Sequence, residues 1–427
     1  MMKQIFMSCC LFVFVLIHGA CADLYSALQG VYDNNPVINQ GRSTVDMAHA
    51  DIKAANAQWM PYLGLHGNMD VARTKVSEYT FDYTPVQYGV EFQQNIFQGG
   101  AMFAQTQMAK SMYDAALANM YAIEQDVFLN AINAYVAVLN AGEVLRLNEN
   151  NLRVLEQYFD FVNDQYDVGR LTKTDVSQAT ARLEMARYAV VDAQAQYDNA
   201  IETFRRIYGG VEPEYMEISL EPVSGLFPKS IDVAEENALR WHPMLIALDE
   251  QEQAAKQNIN IAYKSILPSV DIRGAIQQVD SVPYLDELRD SRIGVYVKVP
   301  IFDKGNAFAN ADKVRATVAN IQDKIIDARR TIIENLRSAW NIYQSQEYAI
   351  LATLAGVDAN KVALDGVRDE EKRGRRTVLD VLNAEQELLN SRVAHARAKH
   401  ARIAAYFAVL AAVGRLDAEN LGIKKKE

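Results

Sequence analysis

Few side chains in this sequence of 427 residues have the spacing that catalysis or metal binding requires. The closest histidines, His395 and His400, are five residues apart, a spacing that does not bring two side chains to one face of a helix. Neither a phosphate-binding glycine loop nor a His-Glu-x-x-His helix is present. The sequence therefore predicts no enzyme, no cofactor and no metal.

Charged side chains beside glycine are the chemistry that the sequence does offer. Lys372, Arg373, Arg375 and Arg376 surround Gly374, which makes this short segment strongly basic. Charges of this kind either simply solvate a turn or take part in the choice of a docking partner. The sequence leaves both alternatives open.

The basic segment belongs to the second copy of an internal repeat. Gly169 stands 205 positions before Gly374, and in each copy an Asp-Val pair follows six residues later. The block Ile-Phe-x-x-Gly at 96–100 recurs at 301–305 with the same shift. A repeat this long predicts a duplicated half-molecule rather than a solenoid of short units. We place the two repeats at 23–209 and 241–414.

Long helices are predicted where proline is absent, between 86 and 212 and after 300. Between 314 and 343, apolar or small residues recur about every 3.6 positions, which keeps a helix nearly straight, although an ordinary bundle core has the same period. Glycines 169 and 374 favour reversals through left-handed caps. We expect helical hairpins over 100–208 and 305–413. Segments 36–60 and 243–267 would extend each shorter helix.

Three segments lie outside the two predicted repeats: residues 1–22, 210–240 and 415–427. Residues 210–240 hold three of the ten prolines and predict a compact equatorial linker, in which Ser230 caps a short helix through Trp241. The tail 415–427 is predicted to be disordered. Residues 1–22 have the pattern of a secretory signal peptide, with a lipoprotein signal that uses Cys21 as the rival interpretation. Cleavage after Ala22 would remove all three cysteines.

Four segments alternate apolar and polar residues with the period of a strand, near 62–72, 86–96, 269–278 and 292–301. Their polar faces include Asp70, Glu91, Arg273 and Lys298. Strands of this length and pattern are typical of a transmembrane β-barrel with a wet interior. A half-buried soluble sheet is the alternative. The export signal and the charged faces favour the membrane.

Four strands cannot close a barrel in lipid, because open edges would leave backbone groups unpaired. Two chains would supply eight strands and a filled interior, whereas three would supply twelve and an open lumen. The sequence therefore predicts an oligomer, and a homotrimer suits a conduit best. The net charge of −11 argues against nucleic acid as a partner.

From about position 35 to Gly414 the chain resembles the TolC family of outer-membrane efflux and secretion channels. The resemblance rests on the duplicated strand-strand-Ile-Phe-x-x-Gly blocks and on two tip sequences, 166–176 and 374–384. It implies a mainly α-helical tunnel across the periplasm and a trimeric 12-stranded β-barrel in outer-membrane lipid. It also implies a periplasmic adaptor and an inner-membrane transporter of ABC or RND type as partners.

The resemblance also assigns roles to residues near the tips. Arg376 would pair with Asp175, helped by Thr174, to hold the periplasmic gate shut. Glu371 occupies the position of a gate tyrosine in the best-known member, and Arg375 and Arg376 are alternative partners for it. The polar contacts that hold the gate shut are therefore expected to differ in part from those of that member.

Pore and adaptor positions follow from the same matches. Asp380 matches an inward-facing acidic ring, whereas Asn383 replaces a second acidic residue, so we expect a weaker acidic filter. The tip residues that match adaptor contacts are Val168, Gly169, Leu171 and Gly374. The tip run 174–183 is closer to the type I protein secretion branch than to multidrug efflux. A periplasmic coiled-coil structural or adhesion protein without a pore is the alternative from another class.

Overall fold

The computed structural model describes residues 23–212, 216, 218–282 and 285–424. The predicted signal peptide and Cys21 therefore lie outside the described residues, as do the last three residues of the tail.

Eight helices carry most of the described chain. Two of them, α3 and α7, have 67 residues each, which corresponds to about 100 Å, and their partners α4 and α8 have 36 residues each. The second pair follows the first at the 205-residue shift of the sequence repeat. The bounds are α1 Leu24–Asn34, α2 Pro36–Ala57, α3 Ala101–Asp167, α4 Lys173–Tyr208, α5 Ile231–Trp241, α6 Pro243–Ala262, α7 Asn306–Lys372 and α8 Val378–Val413.

Six strands form two antiparallel sheets. The strands are β1 Tyr62–Met69, β2 Ala72–Val76, β3 Tyr79–Tyr83, β4 Val86–Gln98, β5 Ser269–Val282 and β6 Leu285–Lys298. The larger sheet has the order β1-β4-β5-β6, and β2 pairs with β3 in a separate hairpin. The two repeats therefore meet edge to edge, between β4 and β5, within one continuous sheet.

The register of the larger sheet separates apolar from polar residues. One row across its four strands is mainly apolar: Leu63, Phe92, Gly274 and Ile293. The neighbouring row, on the other face, carries charges: Gly64, Glu91, Ala275 and Arg292. Leu63 and Ile293 are exposed in the single chain. The sheet thus presents an unburied apolar face, which marks contact with lipid or another chain.

Several details of the fold differ from the sequence prediction. Helix α1 and the β2–β3 hairpin were not predicted, and the first strand ends at Met69 rather than near 72. Strands β5 and β6 extend beyond their predicted bounds of 269–278 and 292–301, since β5 continues to Val282 and β6 begins at Leu285, and the added residues are paired in ladders such as Gln278 to Arg289. The last strand ends at Lys298 rather than 301, just before Pro300, which cannot donate to a ladder.

Helix contacts define two layers along the long axis. Near the sheet the neighbours follow the order α2-α3-α6-α7, and toward the tips the order is α4-α3-α8-α7. By length and composition, α3 is the one helix of the described chain with a stretch apolar enough to cross a membrane, and half of that stretch is buried within the chain. This is the burial expected of a core helix.

The tail corrects one sequence prediction. Residues 415–424 are not a disordered tail: Leu416, Ala418, Leu421 and Ile423 are buried in the largest hydrophobic cluster, beside α1 and α3. Their burial offsets the entropy of ordering the segment. The predicted cap of α5 is confirmed, since the Ser230 hydroxyl accepts a hydrogen bond from Val233 N.

Candidate functional site at the helical tips

The two helical hairpins turn through the same backbone geometry. Gly169 and Gly374 have φ values of 76° and 72°, in the left-handed region that glycine tolerates best. Arg170 N donates to Gln165 O at 2.8 Å, and Arg375 N donates to Glu370 O at 2.9 Å. These paired bonds end α3 and α7 in the same way, so both tips are rigid turns rather than open loops.

A capping box begins each return helix. Thr172 N donates to Asp175 Oδ2 at 2.8 Å, and Thr377 N donates to Asp380 Oδ2 at 2.9 Å. Each threonine hydroxyl in turn accepts a bond from the aspartate backbone N. Bonds from the backbone and side chain of Thr377 lower the pKa of Asp380 below its usual range. Both carboxylates are therefore engaged locally in helix starts.

Arg376 does not pair with Asp175 within the chain. Its Nε lies 2.9 Å from Glu370 Oε2, and both side chains are about half exposed. The reason is proximity, because the turn at Gly374 returns the chain beside the last turn of α7, whereas Asp175 is held by Thr172. Thr174 is exposed.

Glu371 lies near a tyrosine that sequence reasoning missed. Burial raises the pKa of the Glu371 carboxyl, and the nearby Lys372 opposes the shift. Burial likewise raises the pKa of Tyr158 on α3, and the Glu371 charge adds to that effect. The Tyr158 hydroxyl is buried without a hydrogen-bond partner among the described residues. A tyrosine and an acid therefore lie close together near the tips, but the tyrosine lies on α3.

A second missed pair joins α7 to α8. Arg368 donates to the Glu385 carboxylate, whose side chain is 10% exposed while that of Arg368 is 40% exposed. Burial raises the pKa of Glu385, and the Arg368 charge and hydrogen bond oppose the shift. Their separation of 17 residues gave no local signal, because the contact depends on the hairpin turn.

Asn383 connects α8 with α4 rather than standing alone. Arg182 Nη2 donates to Asn383 Oδ1 at 2.8 Å; Asn383 is exposed and Arg182 is half-buried. At the position that the resemblance assigns to an acidic ring, the chain therefore carries a neutral amide with an arginine bound to it. The electrostatic consequence is a locally positive rather than negative site.

The predicted adaptor contacts lie at the end of the molecule. Val168, Gly169 and Gly374 are exposed, and Val168 is an apolar side chain that is 67% exposed. Leu171 differs, because it packs partly against the tip cluster that includes Val162. Val168, Gly169 and Gly374 are therefore accessible to a docking partner, whereas Leu171 mainly stabilises the turn.

The two histidines contact different helices. His395 Nδ1 lies 3.1 Å from Thr353 Oγ1 on α7, and His400 Nε2 lies 2.9 Å from Glu143 Oε2 on α3. They have separate protein partners and are not part of one site.

The fold and the tips together define a subunit of a membrane channel with a long helical extension. The sequence model for "outer membrane efflux protein" matches residues 27–210 and 235–415. The outer membrane efflux protein BepC of Brucella suis is 27% identical over 405 residues, which cover 94% of this chain and 87% of BepC. The outer membrane protein TolC of Escherichia coli is 22% identical over 403 residues, covering 91% and 81%.

Solved structures agree with the fold. The CmeC outer membrane channel of Campylobacter jejuni superposes with a TM-score of 0.82 at 16% identity, covering 92% of this chain and 85% of CmeC. The chain belongs to the outer membrane efflux protein family, the TolC family. It is an outer-membrane export channel whose helical part extends into the periplasm, and the family is one of transport proteins, not of enzymes. The non-channel alternative finds no support.

Proposed function

We propose that three copies of this chain form the exit duct of a tripartite pump, which receives cargo at the helical tips and releases it outside the cell. The observation that carries the proposal is the open four-stranded sheet. Strands β1 and β6 each leave one edge without a strand partner among the described residues. In lipid such an edge is untenable, so β1 of one copy would pair with β6 of the next.

Subunit number is tested by the mass of the purified protein in detergent. The full chain has a mass of 47.8 kDa, and a 12-stranded barrel requires three copies. Light scattering corrected for detergent should give about three times the mature chain mass. A mass of two chains would contradict the proposal, because eight strands enclose only a filled interior.

The periplasmic gate is the second part of the proposal. Arg376 and Asp175 do not meet within one chain, so their pairing would join neighbouring copies, with Thr174 beside Asp175. Glu370 already holds Arg376 and competes for it. The half-buried Glu371, near Tyr158, would help to hold α7 against α3 in the closed state.

The pore lining follows from the return helices. Asp380 would form an acidic ring of three carboxylates, which favours cations. Asn383, with Arg182 at 2.8 Å, would weaken that preference one turn further along α8. The Asp380 ring and the Arg182–Asn383 pair would therefore have opposite effects on the cation preference of the pore.

The adaptor would dock at the exposed tips, with Val168, Gly169 and Gly374 in contact and Leu171 supporting the turn. Val168→Asp should reduce capture of the adaptor by photo-crosslinking in cells, because it places a charge in an apolar contact. Val191→Asp on the flank of α4 is the matched control, since Val191 is 68% exposed and Val168 is 67% exposed. Equal capture by both variants would contradict docking at the tips.

Cargo divides the proposal into two candidates, protein in type I secretion and small molecules in efflux. The family description and the name of the Brucella relative support efflux. The likeness of the run 174–183 to the type I secretion branch supports protein secretion. Deletion of the gene for this chain should raise the accumulation of dye inside the cell if the cargo is a small molecule. Loss of one or more secreted proteins, with unchanged dye accumulation, would favour secretion.

A further inference from the structure

An open groove of about 460 Å³ lies where the strands pass into the helices, between the start of α3 and the end of α6. A volume of this size is in the range of ligand pockets. Its walls near the sheet are apolar, formed by Phe103, Ile266 and Leu267. The amides of Gln257 and Asn260 line the side away from the sheet, because α6 runs toward β5. The groove therefore has an apolar end and a polar end.

The side chain of Phe103 lies on the face of α3 that is outside the proposed duct. It is 62% exposed, and Phe128 follows on the same face of α3 about seven helical turns later. Phe128 packs against Tyr32 of α1, with the ring centroids 6.2 Å apart. This face of α3 is covered further along by α1 and the tail, so the lumen of a duct must lie on the opposite face.

The groove begins directly where the lipid-facing surface of the sheet ends. Gly99, in its lining, follows the last residue of β4. On β6, Ile293, Val295 and Val297 alternate onto one face and are exposed, and beyond the strand Ile301 is 99% exposed. Exposed apolar side chains at this level mark the boundary between membrane and water. Since the helical part extends into the periplasm, the groove meets the inner leaflet of the outer membrane.

The groove stays accessible in an assembled ring. Helices α3 and α6 are the two central members of the order α2-α3-α6-α7, and neighbouring copies would attach at the outer members, α2 and α7. The groove thus belongs to one chain and is not covered by a subunit interface.

Two exposed lysines stand beside the groove. Lys264 follows Tyr263, which lines the groove, and Lys304 follows Asp303. The Ser265 hydroxyl donates to Asp303 Oδ2 at 2.7 Å, so the segments that carry the two lysines are held together. Neither lysine side chain forms an ion pair or hydrogen bond with a residue that the structure describes.

The other charged groups at this level already have partners. Arg315 Nη1 lies 2.7 Å from Asp312 Oδ1, and Asp303 accepts hydrogen bonds from backbone amides at the start of α7. The charge left without a partner is therefore positive, that of Lys264 and Lys304. Lysine ammonium groups bind phosphate as point charges and attract anionic lipid.

We propose that this rim, formed by the groove with Lys264 and Lys304, binds an anionic phospholipid of the inner leaflet. An acyl chain lies on Phe103 and Leu267 and continues along the apolar face of the sheet. The phosphate contacts the two lysines, and the amides of α6 bind the polar headgroup. Three such lipids surround the trimer and fix its height in the membrane, so the inference rests on the proposed duct.

Native mass spectrometry of the purified protein in detergent tests this inference, with phosphatidylglycerol and phosphatidylcholine of different mass added at equal concentration. The wild type should retain phosphatidylglycerol in excess. The double variant Lys264→Gln, Lys304→Gln should reduce that excess about tenfold, because it removes two charges beside the phosphate. The matched control is Lys324→Gln, Lys361→Gln, which removes two exposed lysines further along α7 and should keep the excess.

The apolar end of the groove is tested in the same way. Phe103→Ser should lower the retention of both lipids alike, because it removes the ring on which the acyl chain lies. Phe161→Ser, at a phenylalanine near the tips that is 40% exposed, is the control and should retain lipid like the wild type. Equal loss in both variants would contradict the groove as the lipid site.

Three further results would overturn the proposal. The wild type could retain the two lipids equally, or the lysine control could lose the excess as the double variant does. Displacement of phosphatidylglycerol by the same concentration of inorganic phosphate would show a site for a free anion. The same spectra give the number of chains, so a three-chain mass without a lipid preference contradicts this site alone, whereas another number of chains contradicts the proposed duct.

Discussion

Arg376 Nε lies 2.9 Å from Glu370 Oε2, so the arginine expected to close the gate is held within its own tip. The two side chains flank the turn at Gly374 and are about half exposed. An exposed pair of this kind contributes little to stability, so exchange of Arg376 to a carboxylate of a neighbouring copy would cost little in the proposed trimer. The pair is therefore suited to a contact that opens and closes.

The capping boxes should determine how firmly the tips are folded. Thr377→Ala or Thr172→Ala removes the hydroxyl that caps its helix and should lower the local opening free energy by about 1 kcal/mol. Amide hydrogen exchange in the first turns of α8 and α4 measures this. The control is Thr174→Ala, whose side chain is exposed, and it should change the value by less than about 0.5 kcal/mol. Equal effects at all three positions would contradict the assignment.

The Arg368–Glu385 pair should behave as a partly buried ion pair. Arg368→Ala leaves the Glu385 carboxylate without its partner and should destabilise the protein by about 1–3 kcal/mol, less than for a fully buried pair because Arg368 is 40% exposed. Urea-induced unfolding measures the loss. Arg368→Met combined with Glu385→Leu should recover most of it. If the double variant is as unstable as the single one, the pair does not explain the loss.

Glu371 should make the tip less stable as pH rises. Burial raises its pKa in the folded chain above the usual 4.5, so folding takes up a proton there. The corresponding stability is complete below about pH 4.5 and is lost as pH rises through the folded pKa. Hydrogen exchange near Tyr158 should therefore quicken over this window beyond its intrinsic pH dependence.

Glu371→Gln should remove that extra dependence, because the amide cannot ionise. Glu387→Gln, an exposed acid on α8, should keep the wild-type profile. A wild-type profile in the Glu371 variant would assign the effect to another group.

Arg182 should oppose cation selectivity if Asn383 faces the pore. Arg182→Gln removes three positive charges from the ring of three chains and should move the reversal potential in a KCl gradient toward that of K⁺. Arg187→Gln, a half-exposed arginine that pairs with Glu184 on the same helix, is the control and should leave it unchanged. An unchanged potential in both variants would place Arg182 outside the conduction path.

Sequence reasoning located the large elements because their signals are local. The 205-residue repeat, the absence of proline and the glycines at 169 and 374 gave α3, α4, α7 and α8 within a few residues. The return helices α4 and α8 begin after Thr172 and Thr377 rather than directly after the glycines, because a capping threonine fixes the first helical residue.

The contacts between elements were harder to predict. Tyr158 lies near Glu371, and Arg182 binds Asn383, only because long helices bring distant positions together. The tail looked disordered because its charged end is conspicuous, whereas Leu416 and Leu421 bury themselves against helices more than 250 positions earlier. Such long-range burial leaves no local pattern.

Single-channel recording in planar bilayers tests the central claim most directly. The wild type should give small, discrete, cation-preferring steps, because the proposed gate at the tips would narrow the duct. The double variant Asp175→Ala, Arg376→Ala should give conductance steps that are larger and keep the same cation preference. The absence of steps from both proteins, with insertion confirmed, would contradict a gated channel, and equal steps from both would contradict a gate at these two residues.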